Sequence, residues 1–404
     1  MSLVAVTQAK VYIDISSPAL KKLPIAVTEF SGHSGGEISD VIKEDLDFTG
    51  ILSCLDRKAF LEGPSQPFNP KNWSVIGADA VVKGTVSGTQ NIVATVSLYD
   101  VLDGKEILRK EYQTAASLLR PLAHTIANDI YKQVTGEAGI FRTRIAYVVR
   151  KGGEDSLHIM DWDGYRTTAI GVKGNVILAP HWSRDGSKLI YSSERNRQWG
   201  IYLLDFRKPM ETKIFASKGT NIAGDFFPNA EEFVFSSSMN GSQDLYSYSL
   251  SGSKFSRLTS SRGIEVSPSL SPAGDQIVFV SDRDGSPQLF IMRRDGGTVR
   301  RLTYQGVYNT SPFWSPKGDR IVFSGRQGGR NQIFTISIDG SAMTQLTDKG
   351  SNEEPSFSPD GRYIVFSSDR DGDKAVYVMR ATGEDQRRIT PRGMRAFGPR
   401  WSPN

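Results

Sequence analysis

The 404-residue chain is predicted to fold as a small α+β N-terminal domain followed by an all-β six-bladed propeller, its ring closed by pairing of the C-terminal strand with the first blade. Three observations predict this. One frame recurs at intervals of 43 or 44 residues: "PHWSRDGSKLIYSS" from Pro180, "GDFFPNAEEFVFSS" from Gly224, "PSLSPAGDQIVFVS" from Pro268, "PFWSPKGDRIVFSG" from Pro312 and "PSFSPDGRYIVFSS" from Pro355. A last fragment, "PRWSPN" from Pro399, supplies the opening of that frame and no more. Nothing before Gly139 carries the repeat, which divides the chain into residues 1–138 and 139–404.

Each repeat reads as four strands. Phe313-Trp314-Ser315 enters, Pro-Lys-Gly-Asp turns, and the apolar, β-branched "RIVFS" follows. The glycine-rich "GRQGGRN" leads to "QIFTIS", an Asp-Gly hairpin follows, and "MTQLT" ends the unit. Four short strands in such a period are a propeller blade. The remainder of the truncated last unit lies earlier, at Arg144, where "RIAYVVRKGGEDSLHIMDWDGYRTTAI" aligns with the stretch from Arg320. Closure of the ring by this shared blade removes two exposed sheet edges. The second unit departs from the frame, with Gly224 for Pro, Phe227 for Ser and Ala230 for Gly. A distorted first turn is expected there, followed by a normal Phe233-Val234-Phe235 strand.

In the first 138 residues, "AKVYIDIS" and "LPIAVTEF" read as strands and Glu37–Phe48 as a helix stopped at Gly50. Three strands follow in "ADAVVKGTVSG", "NIVATVSLYDV" and "KEILRKEYQT", the last two joined at Asp103-Gly104. Leu118, Leu122, Ile126, Ile130 and Val134 then share one helical face, with Gly136 as the stop.

Composition narrows the function. A chain with 38% apolar and 23% charged residues is globular, and no stretch approaches the roughly 20 apolar residues of a membrane span. The opening "MSLVAVTQAKVYIDI" has neither the basic region nor the apolar core of a secretory leader, as in a mature chain with Met-Ser-Leu left by cloning. The net charge of +5 is scattered, without a basic block for nucleic acid. Cys54 is the lone cysteine, which excludes an internal disulfide and a thiolate zinc cluster.

One short motif suggests chemistry. Gly32-His33-Ser34-Gly35-Gly36 fits G-x-S-x-G, the nucleophile elbow of hydrolases, between a strand and a helix. Of the four histidines, His33 adjoins the serine, His124 lies in a helix, and His158 and His181 belong to blades. A glycine-serine loop before a helix, with Ser39 or Glu37 near the cap, accounts for the residues without catalysis. A serine hydrolase or peptidase using Ser34 behind a propeller gate is the alternative reading. "DRDGS" at Asp282 and "DRDGD" at Asp369 resemble calcium loops, but Arg293 and Arg380 stand where the twelfth-position Glu is needed. They read as turns, and no catalytic residue, metal or cofactor is expected.

What remains is a rigid ring of loops. The connections from fourth to first strands carry Glu265, Asn309, Thr310, Asn352, Glu353, Glu354, Arg395 and Phe397, and polar loops on a rigid ring suit recognition of a protein or peptide. A monomer that binds no nucleic acid is expected.

The repeated P-x-[WF]-S-P-x-G-x-x-I-V-F, followed by "SDRDG", "DG" and "R-L-T", resembles the propeller repeat of the TolB family. "IAVTEFSG", "DLDFTGIL" and "GADAVVKGTVSG" are similar to that family's first domain, so the resemblance covers nearly the whole chain. It implies a non-enzymatic periplasmic scaffold of the Tol-Pal envelope system, supporting outer-membrane integrity, cell division and bacteriocin import. It implies that the propeller mouth binds peptidoglycan-associated lipoprotein, with Thr220, Asn221, Ala223, Glu265 and Val266 as the nearest matching positions. It further implies that the N-terminal segment, here Val4, Val6, Thr7, Val11 and Tyr12, contacts TolA, with other envelope proteins as further partners.

Overall fold

The computed structural model describes residues 22–208 and 210–404. They form two compact units divided between Arg142 and Thr143. The expected strand "AKVYIDIS" lies outside the described residues. Among them, no helix is long and apolar enough to cross a membrane.

The first unit has a five-stranded sheet of order β2-β1-β3-β4-β5. β1 (Leu23–Val27) pairs in parallel with β2 (Leu52–Cys54) and with β3 (Ala80–Ser87). β4 (Asn91–Asp100) and β5 (Lys105–Ala115) continue it antiparallel. α1 (Gly35–Phe48) presents Ile38, Val41, Ile42 and Leu46 to the core. α3 (Leu119–Thr135) presents Leu122, Ile126, Ile130 and Val134, but Leu118, expected on that face, precedes the helix and is exposed. Two elements escaped the sequence reading. β2 has only three residues, too few to show alternation. α2 (Pro70–Val75) is a six-residue helix begun by Asn69, whose side chain accepts from Lys71 N, and by Pro70 at its first position. It delivers the fully buried Trp73, whose Nε1 donates to Glu62 at 2.8 Å while Lys83 Nζ reaches the same carboxylate oxygen at 3.1 Å.

The second unit is the six-bladed propeller, six antiparallel four-stranded sheets. The closing sheet takes its inner strand, Arg395–Trp401, from the C-terminus and its other strands, Arg144–Lys151, Glu154–Asp161 and Thr168–Gly174, from the start of the unit. Trp401 lies opposite Ile145 and its Nε1 donates to Thr143 Oγ1 at 2.8 Å. The middle strands of each blade are buried on both faces, since neighbouring blades cover them, which is why they read as unbroken apolar runs. Val278, Val280, Leu289 and Ile291 of one blade pack in a single cluster with Trp314, Ile321, Phe323 and Ile336 of the next.

Three of the six fourth strands are shorter than expected: "MTQLT" pairs only at Thr344–Gln345, and Arg300–Arg301 and Arg387–Arg388 are equally brief. The threonine that ends R-L-T, or its variants Q-L-T and R-I-T, replaces further pairing. Oγ1 of Thr259, Thr303, Thr347 and Thr390 accepts from a backbone N–H of the third strand at 2.9–3.0 Å.

The turn at Ala230 corrects the expectation of a distortion. Ala230 adopts φ 55°, beside 67–75° for Gly186, Gly274, Gly318 and Gly361, and its N–H donates to Phe227 O at 3.0 Å as the glycines do to their serines at 2.9 Å. Phe227 lacks the serine hydroxyl, and Asn229 Oδ1 compensates by accepting from the N–H groups of Glu231 and Glu232. Gly224 replaces proline for a steric reason, because a Cβ there would lie 2.6 Å from Pro268 Cγ and 2.7 Å from Val234 O. An alanine in the left-handed region costs about 1 kcal/mol. Gly318→Ala, where a Cβ meets only Pro272 carbons at 3.8 Å, is therefore expected to lower stability by about 1 kcal/mol in urea denaturation; an unchanged midpoint would show that the turn imposes no such cost.

Candidate functional site

The loop face begins where each inner strand begins, and there the structure corrects the ring read from sequence. Asn221, Glu265, Asn309 and Asn352 each start an inner strand, and all four are buried. Asn309 Nδ2 donates to Gln288 Oε1 at 2.8 Å and to Gln305 O at 2.9 Å, and Gln288 Oε1 also accepts from Thr303. Asn352 repeats the pattern with Gln332, Lys349 O and Thr347. Asn221 Nδ2 holds Trp199 O and Ser217 O, and Glu265 pairs with Arg283. These side chains fasten each incoming loop to its blade, since buried polar groups must find partners inside the fold.

The remaining positions divide by exposure. Ala223 and Phe397 are buried. Thr220, Val266 and Thr310 are half-buried, and Arg395 is exposed. Glu353 is half-buried; burial alone would raise its carboxyl, but Lys374 and the Asn331 amide hold it below the ordinary glutamate range. Glu354 turns inward, its Oε2 accepting from Gly398 N at 2.8 Å and Ser367 Oγ at 3.0 Å. Val4, Val6, Thr7, Val11 and Tyr12 lie outside the described residues.

The aspartates of "DRDG" serve the same loops. Asp282 Oδ1 accepts from Ile264 N and Asp369 Oδ1 from Ser351 N, both at 2.6 Å. The following arginines lie over aromatic pairs, Arg283 over Phe279 and Phe290, Arg370 over Phe366 and Tyr377.

On this rigid base stand three apolar side chains that the sequence reading passed over. Ile264 is 53% exposed, Tyr304 75% and Val307 69%, in two successive loops between fourth and first strands. Their signal was available as apolar residues inside the otherwise polar, glycine-containing "SSRGIEVS" and "TYQGVYNTS". Large apolar side chains exposed on neighbouring anchored loops of one face mark an interaction surface.

The channel is a second polar centre. The residues after the blade-starting positions are His181, Asp225, Ser269, Phe313, Ser356 and Arg400, and of these His181, Asp225, Phe313 and Arg400 line one cavity. His181 Nδ1 lies 2.9 Å from Asp225 Oδ1, while Asp225 Oδ2 accepts from Ser269 Oγ at 2.7 Å and Leu270 N at 2.9 Å. Burial alone would raise the Asp225 carboxyl, but the His181 contact, the Arg184 charge and the Leu270 N–H outweigh it and hold it at about 2. A carboxyl held below its unfolded range of about 3.9 stabilises the fold above that pH and loses the contribution as pH falls through about 2. Asp225→Asn is expected to cost about 2 kcal/mol near neutrality, an energy gap to wild type that closes as the medium approaches pH 2. Denaturation curves across this range check it; a gap independent of pH would remove the carboxylate as its cause.

Ser34 has the loop geometry of the motif. It opens α1 at φ 66° and its side chain makes no capping bond. Gly32 is required by packing, as a Cβ there would lie 1.9 Å from Val86 O. Of the expected capping residues, Ser39 donates to Gly36 O at 3.0 Å. His33 is exposed, and His124 is buried with Nδ1 2.7 Å from Asp45. A Ser–His hydrogen bond does occur between Ser156 and His158, at 3.0 Å within one strand.

The family described as TolB beta propeller domain matches residues 131–404, and that described as TolB amino-terminal domain matches residues 11–107. The crystal structure of TolB from Acinetobacter baumannii superposes with a TM-score of 0.86 at 27% identity, covering 95% of this chain and 97% of that one. The Tol-Pal system protein TolB of Desulfosudis oleivorans is 36% identical over 232 residues, 54% of this chain and 53% of that protein. That of Dechloromonas aromatica is 30% identical over 227 residues, 55% of this chain and 53% of the relative. The chain spans about half the length of the curated relatives it matches. With both domain families matched in their order along the sequence, the chain belongs to the TolB family.

Proposed function

We propose that this chain is a non-enzymatic periplasmic scaffold of the Tol-Pal system. The loop face of its propeller docks peptidoglycan-associated lipoprotein, its N-terminal segment (Val4 to Tyr12) contacts TolA, and together they support outer-membrane integrity, constriction at division and bacteriocin import. The observation that carries the docking reading is the apolar group Ile264, Tyr304 and Val307, exposed on loops whose bases are fixed by the buried Asn309 and the half-buried Asp282. A preformed surface loses little conformational entropy on binding, and aromatic side chains at its centre supply most of the energy. The half-buried Glu353–Lys374 pair and exposed Arg395 belong to the polar positions of the same loop set.

The test is a calorimetric titration with the soluble domain of peptidoglycan-associated lipoprotein from the same organism. Saturable one-to-one binding in the micromolar range or tighter is expected. Absence of heat and of a complex by size exclusion would remove the docking reading.

A further inference from the structure

At the end of the channel formed by the turns between first and second strands lies a cavity of ≈ 240 Å³. This is the end opposite the loops that carry Tyr304 and Val307, because each inner strand runs from one face of the ring to the other. The walls are flat and apolar: Trp182, Phe313, Trp314, Phe357 and Trp401. Two guanidinium groups border it. Arg184 extends from its turn to Ser271 O, two blades away, at 3.3 Å. Arg400 stands on the closing strand with its guanidinium 5.7 Å from the Phe313 ring centre.

Among the described residues, the fully buried side-chain atoms of this lining that lack a hydrogen bond are both donors, Trp314 Nε1 and Arg400 Nε. Arg400 uses Nη1 alone, on Glu354 O at 3.2 Å and Pro399 O at 3.0 Å; among the described residues its Nε and Nη2 meet no acceptor. Trp314 is 4% exposed, and among the described residues its Nε1 has no partner. The equivalent Trp182 and Trp401 donate to Arg400 O at 3.2 Å and Thr143 Oγ1 at 2.8 Å. The one carboxylate of the lining, Asp225, has both oxygens engaged by His181, Ser269 and Leu270. A buried donor left without an acceptor costs about 1–3 kcal/mol, so a group that supplies acceptors is favoured there.

We propose that this cavity binds a small organic anion, a carboxylate on a flat apolar body. The carboxylate accepts from Arg400, with Arg184 adding charge at the rim, and the body lies among the tryptophan and phenylalanine walls. The volume admits on the order of ten non-hydrogen atoms, the size of a benzoate and below that of most drug-sized ligands. A cation is disfavoured, because two arginines border the cavity and its acidic group is already satisfied.

Titration of the full chain, labelled with ¹⁵N at its tryptophans, with benzoate tests this, with benzamide as the uncharged isostere. Benzoate is expected to shift the Trp314 indole resonance, assigned with Trp314→Phe, saturably at millimolar or lower concentration, and benzamide is not. Arg400→Gln is expected to weaken the response by roughly tenfold or more. Arg184→Gln, at an exposed residue whose side chain gives up a single hydrogen bond to Ser271 O, is expected to weaken it by a smaller factor, which keeps the test informative if Arg400→Gln fails to fold. No shift up to roughly 20 mM benzoate, an equal response to benzamide, or a response unchanged by Arg184→Gln would each overturn the proposal.

Discussion

A chain carrying Tyr304→Ala and Val307→Asp together will bind the lipoprotein domain roughly a hundredfold more weakly than wild type, with its thermal midpoint unmoved. Central aromatic anchors of interfaces contribute about 2–4 kcal/mol each, and a hundredfold corresponds to about 2.7 kcal/mol. Fold stability is spared because both side chains are mostly exposed while the loop is held from beneath by buried Leu302, Thr303 and Asn309. Arg301, 5.1 Å from the Tyr304 ring centre, keeps its contact with Asp284 in the variant. Leu102→Ala, at a similarly exposed apolar residue of the first unit, is the control and should leave affinity unchanged. If the double variant loses less than about threefold, the apolar loops are not the interface and the lipoprotein docks elsewhere.

The repeat was legible because every blade solves the same packing problem. A strand covered on both faces admits only apolar, mostly β-branched or aromatic residues, so "RIVFS" and "YIVFSS" announce themselves. Closure was legible for the same reason, as the fragment at Pro399 and the stretch at Arg144 each lacked what the other supplied. The first unit was less so. β2 is fixed by its parallel pairing with β1, a contact with no local signature.

The loop face failed in a more instructive way. Asn309, Asn352 and Glu265 look solvent-facing in a linear reading, because polar residues next to glycines usually are. They are buried because a propeller must anchor each blade-to-blade connection, and a side chain with hydrogen-bonding capacity does so at the cost of its hydration. The exposed apolar group was missed because only the polar and charged residues of those loops, "GIEVS" and "VYNTS" among them, were weighed as contacts. Variation at one position of the repeat carried more information than the repeat's regularity. The residue after each blade-starting position changes from His181 to Asp225, Ser269, Phe313, Ser356 and Arg400, and a position that the repeat does not hold to one residue type is one that the channel can specialise.

The largest stability loss is expected at the closing strand. Trp401→Ala will lower the unfolding free energy of the propeller by about 4 kcal/mol, whereas Trp182→Ala at the equivalent blade position will cost about half as much. Removing a buried tryptophan typically costs about 3–5 kcal/mol. Trp401 is 5% exposed, stacks beside Tyr363 and donates to Thr143 across the join, whereas Trp182 is half-buried and donates to a carbonyl at 3.2 Å. The difference has a topological origin. Other inner strands are tied by a covalent turn to the next strand of their own blade, but Arg395–Trp401 is held to Arg144–Lys151 only by hydrogen bonds and packing. Loosening it exposes the eight residues Arg144–Lys151 as an unpaired edge, the arrangement that promotes association between chains. Denaturant unfolding of both variants, followed by size exclusion at increasing concentration, should therefore show the larger loss and concentration-dependent association for Trp401→Ala alone. Equal losses in the two variants would mean that blade-to-blade packing holds the ring closed without help from the strand pairing.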